Sequence, residues 1–297
     1  MGKAMNYGFL NFVGAAFLGL ALCCAPGARA DTAWDRDTRV LGDAIRAIPQ
    51  EAADIALYPV NNPSDFWKYA ALVGALVVVD RPLTQLYQDG VESGLKDFKL
   101  PDSPLPTSAI TAGTDGWLLL GVTGTYMGGL LADDPYTQKI GIAASKAIGY
   151  SYLLDQVALK TIAGRNRPLP SLSGGQASGS FTSNPYDFFN SRGGSILTSD
   201  AQGSSFVSFH FTMWFAVAKV YERAYDNYWA PYSLTALGLA SNIQGHHHWV
   251  SDMVGGALLG TLIGNSVYSQ TFSPSERGFS LASPAGNTLG LQLMYRY

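Results

Sequence analysis

Apolar positions recur along most of this chain at helical spacing. Leu41, Ile45 and Ile48 fall on one face of a helix predicted over 34–48, and Pro49 is expected to stop it. A loop with Pro59 and Pro63 follows. Ser64 and Asp65 are placed to cap a helix over 66–79, whose centre, 70–79, is apolar all round and therefore expected to be buried or against lipid. Pro82 sits near the start of a further helix ending at about residue 95, and Pro101, Pro104 and Pro106 mark a linker. Further helices are predicted over 117–131, 140–163, 209–225, 232–241 and 249–267; the first is loosened by Gly121, Gly124, Gly128 and Gly129. The segment 169–203 is polar and rich in Ser, Gly, Asn and Pro, and a loop of that length is usually functional or mobile. The tail changes period. Leu289, Leu291, Leu293 and Tyr295 alternate with Gly290, Gln292, Met294 and Arg296, behind a segment at 278–281 and a turn at 284–287. That pattern is a β-hairpin, and one hairpin cannot close a barrel. The fold class expected is all-α, a helical bundle with a small C-terminal β-hairpin.

Composition adds a membrane question. Of the 297 residues 47% are hydrophobic and only 14% charged, which supplies a full core and leaves apolar material over. No helix after residue 30 offers an unbroken apolar run of ~18 residues, so buried core helices are favoured over spanning ones, with membrane contact left open. Residues 1–30 have the form of a signal peptide: Lys3, an apolar stretch at 9–22, then Ala28-Arg29-Ala30 before a cut expected ahead of Asp31. An uncleaved anchor is the alternative. Both cysteines, Cys23 and Cys24, lie in this leader, so thiolate chemistry and disulfides are excluded from the rest. With Lys3 and Arg29 gone, the 19 basic and 22 acidic residues leave a net charge of about −5, a poor basis for binding nucleic acid.

Three polar clusters stand in order. Lys160 and Arg167 are seven apart and can share a helix face, with Pro168 expected to turn the arginine out of the helix. A point charge and a guanidinium fork suit a phosphate, although a solvated basic helix end has the same spacing. Ser205, Ser208 and His210 open the helix at 209, as an ordinary cap or as an anion donor with a general acid beside it. His248 and Asp252 are four apart, on one helix face if both are helical. The carboxylate can then fix the imidazole tautomer and free the other nitrogen for attack. His246 and His247 adjoin them, but neighbouring residues on a helix diverge, so no metal site is expected.

Together these clusters resemble the type 2 phosphatidic acid phosphatase superfamily, which also includes bacterial acid phosphatases and vanadium haloperoxidases. Its pattern is Lys-x6-Arg-Pro, then Pro-Ser-Gly-His, then Ser-Arg-x5-His-x3-Asp. Here the first motif is complete, with Gly164-Arg165 inside it, and the third keeps Ser241, His248, Trp249, Ser251 and Asp252. The resemblance covers about 140–267. It implies that His248 attacks phosphorus, Asp252 orients it and His210 protonates the leaving oxygen. Lys160, Arg167 and Ser208 would hold the phosphate, flanked by positions Phe209 and Asn242, with no metal or cofactor. The departures are Val207 for Pro, Phe209 for Gly and Asn242 for Arg. Phenylalanine adds bulk and restricts φ where backbone should approach phosphate, and asparagine removes a charged donor; Arg165 is a conceivable substitute.

The domain organisation expected is a leader at 1–30, a helical segment at 31–135 packing on the core, the core at 136–270 with its loop at 169–203, and the hairpin at 271–297. The function expected is an exported phosphatase of lipid phosphates or small soluble esters, periplasmic or peripheral to a membrane. A phosphate- or headgroup-binding relative without turnover is the second reading, and a vanadate-dependent haloperoxidase the third. The sequence leaves the oligomeric state open.

Overall fold

The structure is a computed structural model. It describes residues 36–105, 114–174, 180–190, 202–241, 243 and 247–272, and the backbone of 31–35, 278–282 and 292–296; residues 1–30, expected as a leader, Asn242 and His246 lie outside these.

The long helices are α1 (Asp31–Ala56), α2 (Pro63–Tyr87), α3 (Asp115–Leu131), α4 (Pro135–Ser151), α5 (Phe209–Tyr225), α6 (Trp229–Ser241) and α7 (Val250–Phe272). Strands β1 (Arg167–Pro168) and β2 (Phe181–Thr182) pair in parallel, and β3 (Gly278–Ala282) pairs antiparallel with β4 (Gln292–Arg296) in the register Gly278 to Arg296. The all-α bundle and its C-terminal hairpin are thus as expected; the parallel pair that ties the polar loop back to Arg167–Pro168 is not.

The core lies where α4, α5 and α7 meet, around Ile140, Ala143, Phe209, Met213, Ala216, Ile263 and Val267. A row of glycines on α7 brings α5 close. A Cβ on Gly256, Gly260 or Gly264 would come within 2.6, 2.2 or 2.3 Å of the carbonyl oxygens of Ser208, Thr212 and Ala216. Each helix therefore runs against the other's backbone, and that contact sets the distance between their N-terminal ends, where Ser208 and Asp252 sit.

Neither Pro49, expected to end a helix, nor Pro82, expected near the start of a new one, interrupts its helix. α1 continues through Pro49 and α2 through Pro82. A proline costs the helix the bond to the carbonyl four residues back, and tertiary contacts offset that loss here. Tyr186 Oη donates to Val78 O, the carbonyl that Pro82 leaves unpaired (3.2 Å). Around Pro49, Tyr150 Oη donates to Ile48 O (2.9 Å), and buried Lys146 pairs with buried Glu51. α2 then runs on through a π-helical turn, Gln88–Glu92, so that Pro63–Leu95 is one helical stretch of 33 residues.

That continuity corrects the expectation of buried core helices. Pro63–Leu95 is long and apolar enough to cross a membrane, and only 11% of its most apolar window is buried. It touches the core along a polar stripe, Asp80, Thr84 and Gln88, all buried. Leu72, Val78, Val79 and Leu86 face outward.

Candidate active site

α4 begins with Pro135 at its first turn and the Asp134 carboxylate accepting from Tyr136 N, a helix start that matches its sequence. It passes into a π-helical segment, Tyr152–Leu159, and a last α-turn, Lys160–Ala163, capped by Gly164 in the left-handed region (φ 50°). The helix therefore stops before Arg167, which comes from β1; the expected shared helix face is corrected to a helix end and a strand meeting. Lys160 is buried. Arg167 donates Nε–H to Ser204 Oγ (3.1 Å), and among the described residues it makes no ion pair.

The third cluster is corrected similarly. α7 starts at Val250, so His248 precedes the helix and does not share a helix face with Asp252. His248 Nδ1 lies 3.8 Å from Asp252 Oδ2 and 3.5 Å from Ser205 Oγ. Ser205 in turn donates to Asp252 Oδ2, so its hydroxyl stands between imidazole and carboxylate. Asp252 also accepts from Arg165 Nη1 (2.6 Å) and Trp249 N (3.2 Å). The acid orients the imidazole chiefly through Ser205.

Arg165 is wholly buried, and each of its five N–H groups has an acceptor. Nη1 donates to Ser251 Oγ and Asp252 Oδ1, Nη2 to Asp80 Oδ2 and Pro185 O, and Nε to Pro185 O. Phe188 and Trp249 flank the guanidinium at 4.8 and 5.0 Å. No donor is left for a phosphate, so Arg165 does not stand in for the arginine that Asn242 replaces. Asn242 itself lies outside the described residues.

Ser208 precedes α5, and its hydroxyl is buried without a hydrogen-bond partner among the described residues. Phe209 turns its ring into the core against Tyr152 (5.9 Å), with Lys160 Nζ 6.0 Å from the ring centroid. Its φ is not positive. The expected obstruction at the glycine position is therefore absent, and the Phe209 side chain is a core contact. His210 Nε2 lies 2.9 Å from Asp115 Oδ2, while the other oxygen of Asp115 accepts from Trp214 Nε1 (2.7 Å).

Sequence reasoning missed the groups that hold this site. Asp80 accepts from Ser251 N (2.9 Å) and Ser251 Oγ as well as from Arg165, and Thr84 Oγ1 accepts from Val250 N (3.1 Å). Two side chains of α2 thus cap α7. Gln88 binds both Leu169 O and Leu172 N in the loop after β1. The available signal was a lone aspartate closing an apolar run, at 80, and another opening a charge-free helix, at 115. A carboxylate in such a setting needs a buried partner.

The electrostatics follow from burial among cations. Burial first, then Arg167 and Lys160, hold the His248 imidazole well below its ordinary range, so it is neutral near pH 7. Burial lowers Lys160 and Arg167, and it raises Asp252 against the pull of Arg165 and Ser205. His247 is lowered by burial and by Arg167. Among the described residues no three His, Cys, Asp or Glu side chains gather as metal ligands.

A neutral buried imidazole, a lysine and, among the described residues, a guanidinium without an ion pair and a serine hydroxyl without a partner are groups that can hold a tetrahedral oxyanion. The family model of the PAP2 superfamily matches residues 141–275, and this match supports membership of that superfamily. That superfamily generally consists of phosphoester hydrolases acting on phosphorylated small molecules or lipids. No curated protein and no solved structure matches the chain.

Proposed function

We propose that this protein is an exported phosphatase that hydrolyses phosphate monoesters through a phosphohistidine at His248. The observation that carries the reading is the buried Ser208 hydroxyl, without a partner among the described residues, in a site whose imidazole is kept neutral by burial first and then by Arg167 and Lys160. With Nδ1 turned to Ser205 and Asp252, Nε2 of His248 is the nitrogen available to phosphorus. It attacks, the phosphorus–oxygen ester bond breaks, and the leaving oxygen takes its proton from His210, which Asp115 steadies. Water then attacks phosphorus, the phosphorus–nitrogen bond breaks, and His210 recovers a proton from that water. Lys160, Arg167 and Ser208 hold the equatorial oxygens, where charge stabilisation does most of the work.

The outer face of α2 supports contact with lipid: no charged side chain occurs from Tyr69 to Val79, and much of that face is exposed. A phosphorylated lipid or isoprenoid fits this surface best, presented to the site from the membrane. The test is inorganic phosphate release by the purified chain from p-nitrophenyl phosphate, phosphatidate and an isoprenyl pyrophosphate, with His248→Ala beside it. Turnover abolished in the variant is expected. Turnover that survives it would remove the phosphohistidine. Release of the protein from cells by osmotic shock alone would remove the membrane contact.

A further inference from the structure

Asp155 is a buried carboxylate for which the mechanism above has no use. It lies in the π-helical segment, five residues before Lys160. In an α-helix residues five apart point about 140° from one another. Here the Lys160 N–H bonds to the Asp155 carbonyl, an i to i+5 turn, and brings both side chains to one side. Lys160 Nζ lies 3.8 Å from Asp155 Oδ1, and Asp155 has no exposed surface. Neither of its oxygens accepts a hydrogen bond among the described residues. Thr212 of α5 faces the carboxyl, but its one proton goes to Ser208 O (3.0 Å). The charged and titratable groups around it are Lys160 from its own helix, His210 from α5 and Asp252 from α7.

We infer that Asp155 is a positioning residue that holds Lys160 until phosphate arrives and takes up a proton when Lys160 passes to the phosphate. The inference rests on the proposed role of Lys160 as a phosphate ligand. One ammonium cannot neutralise both a buried carboxylate and an incoming dianion. A buried carboxylate that loses its counter-ion beside new negative charge is costly, and a proton removes the cost. Burial has already pushed Asp155 up to about 7, so little more is needed. The balance is one proton taken from solvent per oxyanion bound, with no covalent change at Asp155.

Calorimetric titration of the full chain with inorganic sulfate tests this, because sulfate does not itself titrate near neutral pH. Run at pH 8 in two buffers of different ionisation enthalpy, wild type should take up about one proton per sulfate. Its affinity should fall about tenfold per pH unit above that. Asp155→Asn should lose that proton and flatten the pH slope, and in turnover it should flatten KM against pH more than kcat. A merely structural aspartate would lower the melting temperature of Asp155→Asn and leave the proton count unchanged. Proton uptake that is absent in wild type, or unchanged in a folded Asp155→Asn or Asp155→Ala, overturns the inference. A folded protein that binds neither sulfate nor inorganic phosphate overturns the reading of the site and this inference with it.

Discussion

Replacing Asp80 by alanine isolates the tie between the outer helix and the chemistry. The wild-type carboxylate accepts from Arg165 Nη2, from Ser251 N and from Ser251 Oγ, with every partner buried. Alanine leaves a guanidinium N–H, an amide and a hydroxyl without an acceptor, in a place water does not reach. Removing one partner of a buried ion pair costs about 3–5 kcal/mol, and each orphaned neutral donor about 1–3 kcal/mol taken singly. These terms share one network and do not add, so about 4 kcal/mol is expected in all. Against a total stability of about 5–15 kcal/mol this is a large loss. The internal reference is Asp65→Ala. Asp65 lies on the same helix but pairs with Lys68 at the surface (3.1 Å), and its loss should stay within about 0.5 kcal/mol of wild type. Urea unfolding followed by tryptophan fluorescence would give both values from midpoints at a common slope. Coincident midpoints for the two variants would refute the buried network and the account of how α7 is capped.

Gly260→Ala forces a Cβ to within 2.2 Å of Thr212 O; spreading α5 from α7 should cost about 3 kcal/mol by chemical denaturation and lower kcat, since Ser208 and Asp252 move apart. His248 stays neutral in the folded chain and gains its proton only on unfolding, so acid favours the unfolded state as pH falls through the unfolded value near 6.5. Wild type should therefore lose stability relative to His248→Asn between pH 7.5 and 5, by up to about 2 kcal/mol, and parallel melting curves across that range would contradict the assignment. Asp115→Asn should lower kcat for esters with poor leaving groups by about tenfold or more. It should spare p-nitrophenyl phosphate, whose leaving group needs no proton; equal loss on both would mean that Asp115 serves the fold alone.

The sequence carried the helical bundle and the motif residues because both are local: a period of 3.6, and short spacings such as Lys160 to Arg167. It hid whatever depended on distant partners. Pro49 read as a stop and Pro82 as the start of a new helix because the side chains that support the continuous helices there, Tyr150 and Tyr186, stand about 100 residues away. For the same reason the exposed length of α2 was out of view, since a break at Pro82 divides it into two short pieces. His248 read as helical because the four-residue spacing to Asp252 has two solutions. The structure takes the one in which the chain turns just before α7 and Ser205 fills the gap. Asp155 was invisible because a five-residue spacing means nothing until a π-turn makes it a shared face.

The polar stripe of α2 bears on how this protein can be divided. The region that identifies the superfamily is 141–275, yet the side chains that cap α7 and steady His210 come from residues 80, 84 and 115. A fragment cut at the family boundary would keep every motif residue and lose their anchors, leaving Arg165 with one carboxylate in place of two. Grafting the motif half onto another outer helix would meet the same obstacle unless Asp80, Thr84 and Asp115 travelled with it. The inherited unit of function here is longer than the unit that recognition by similarity picks out.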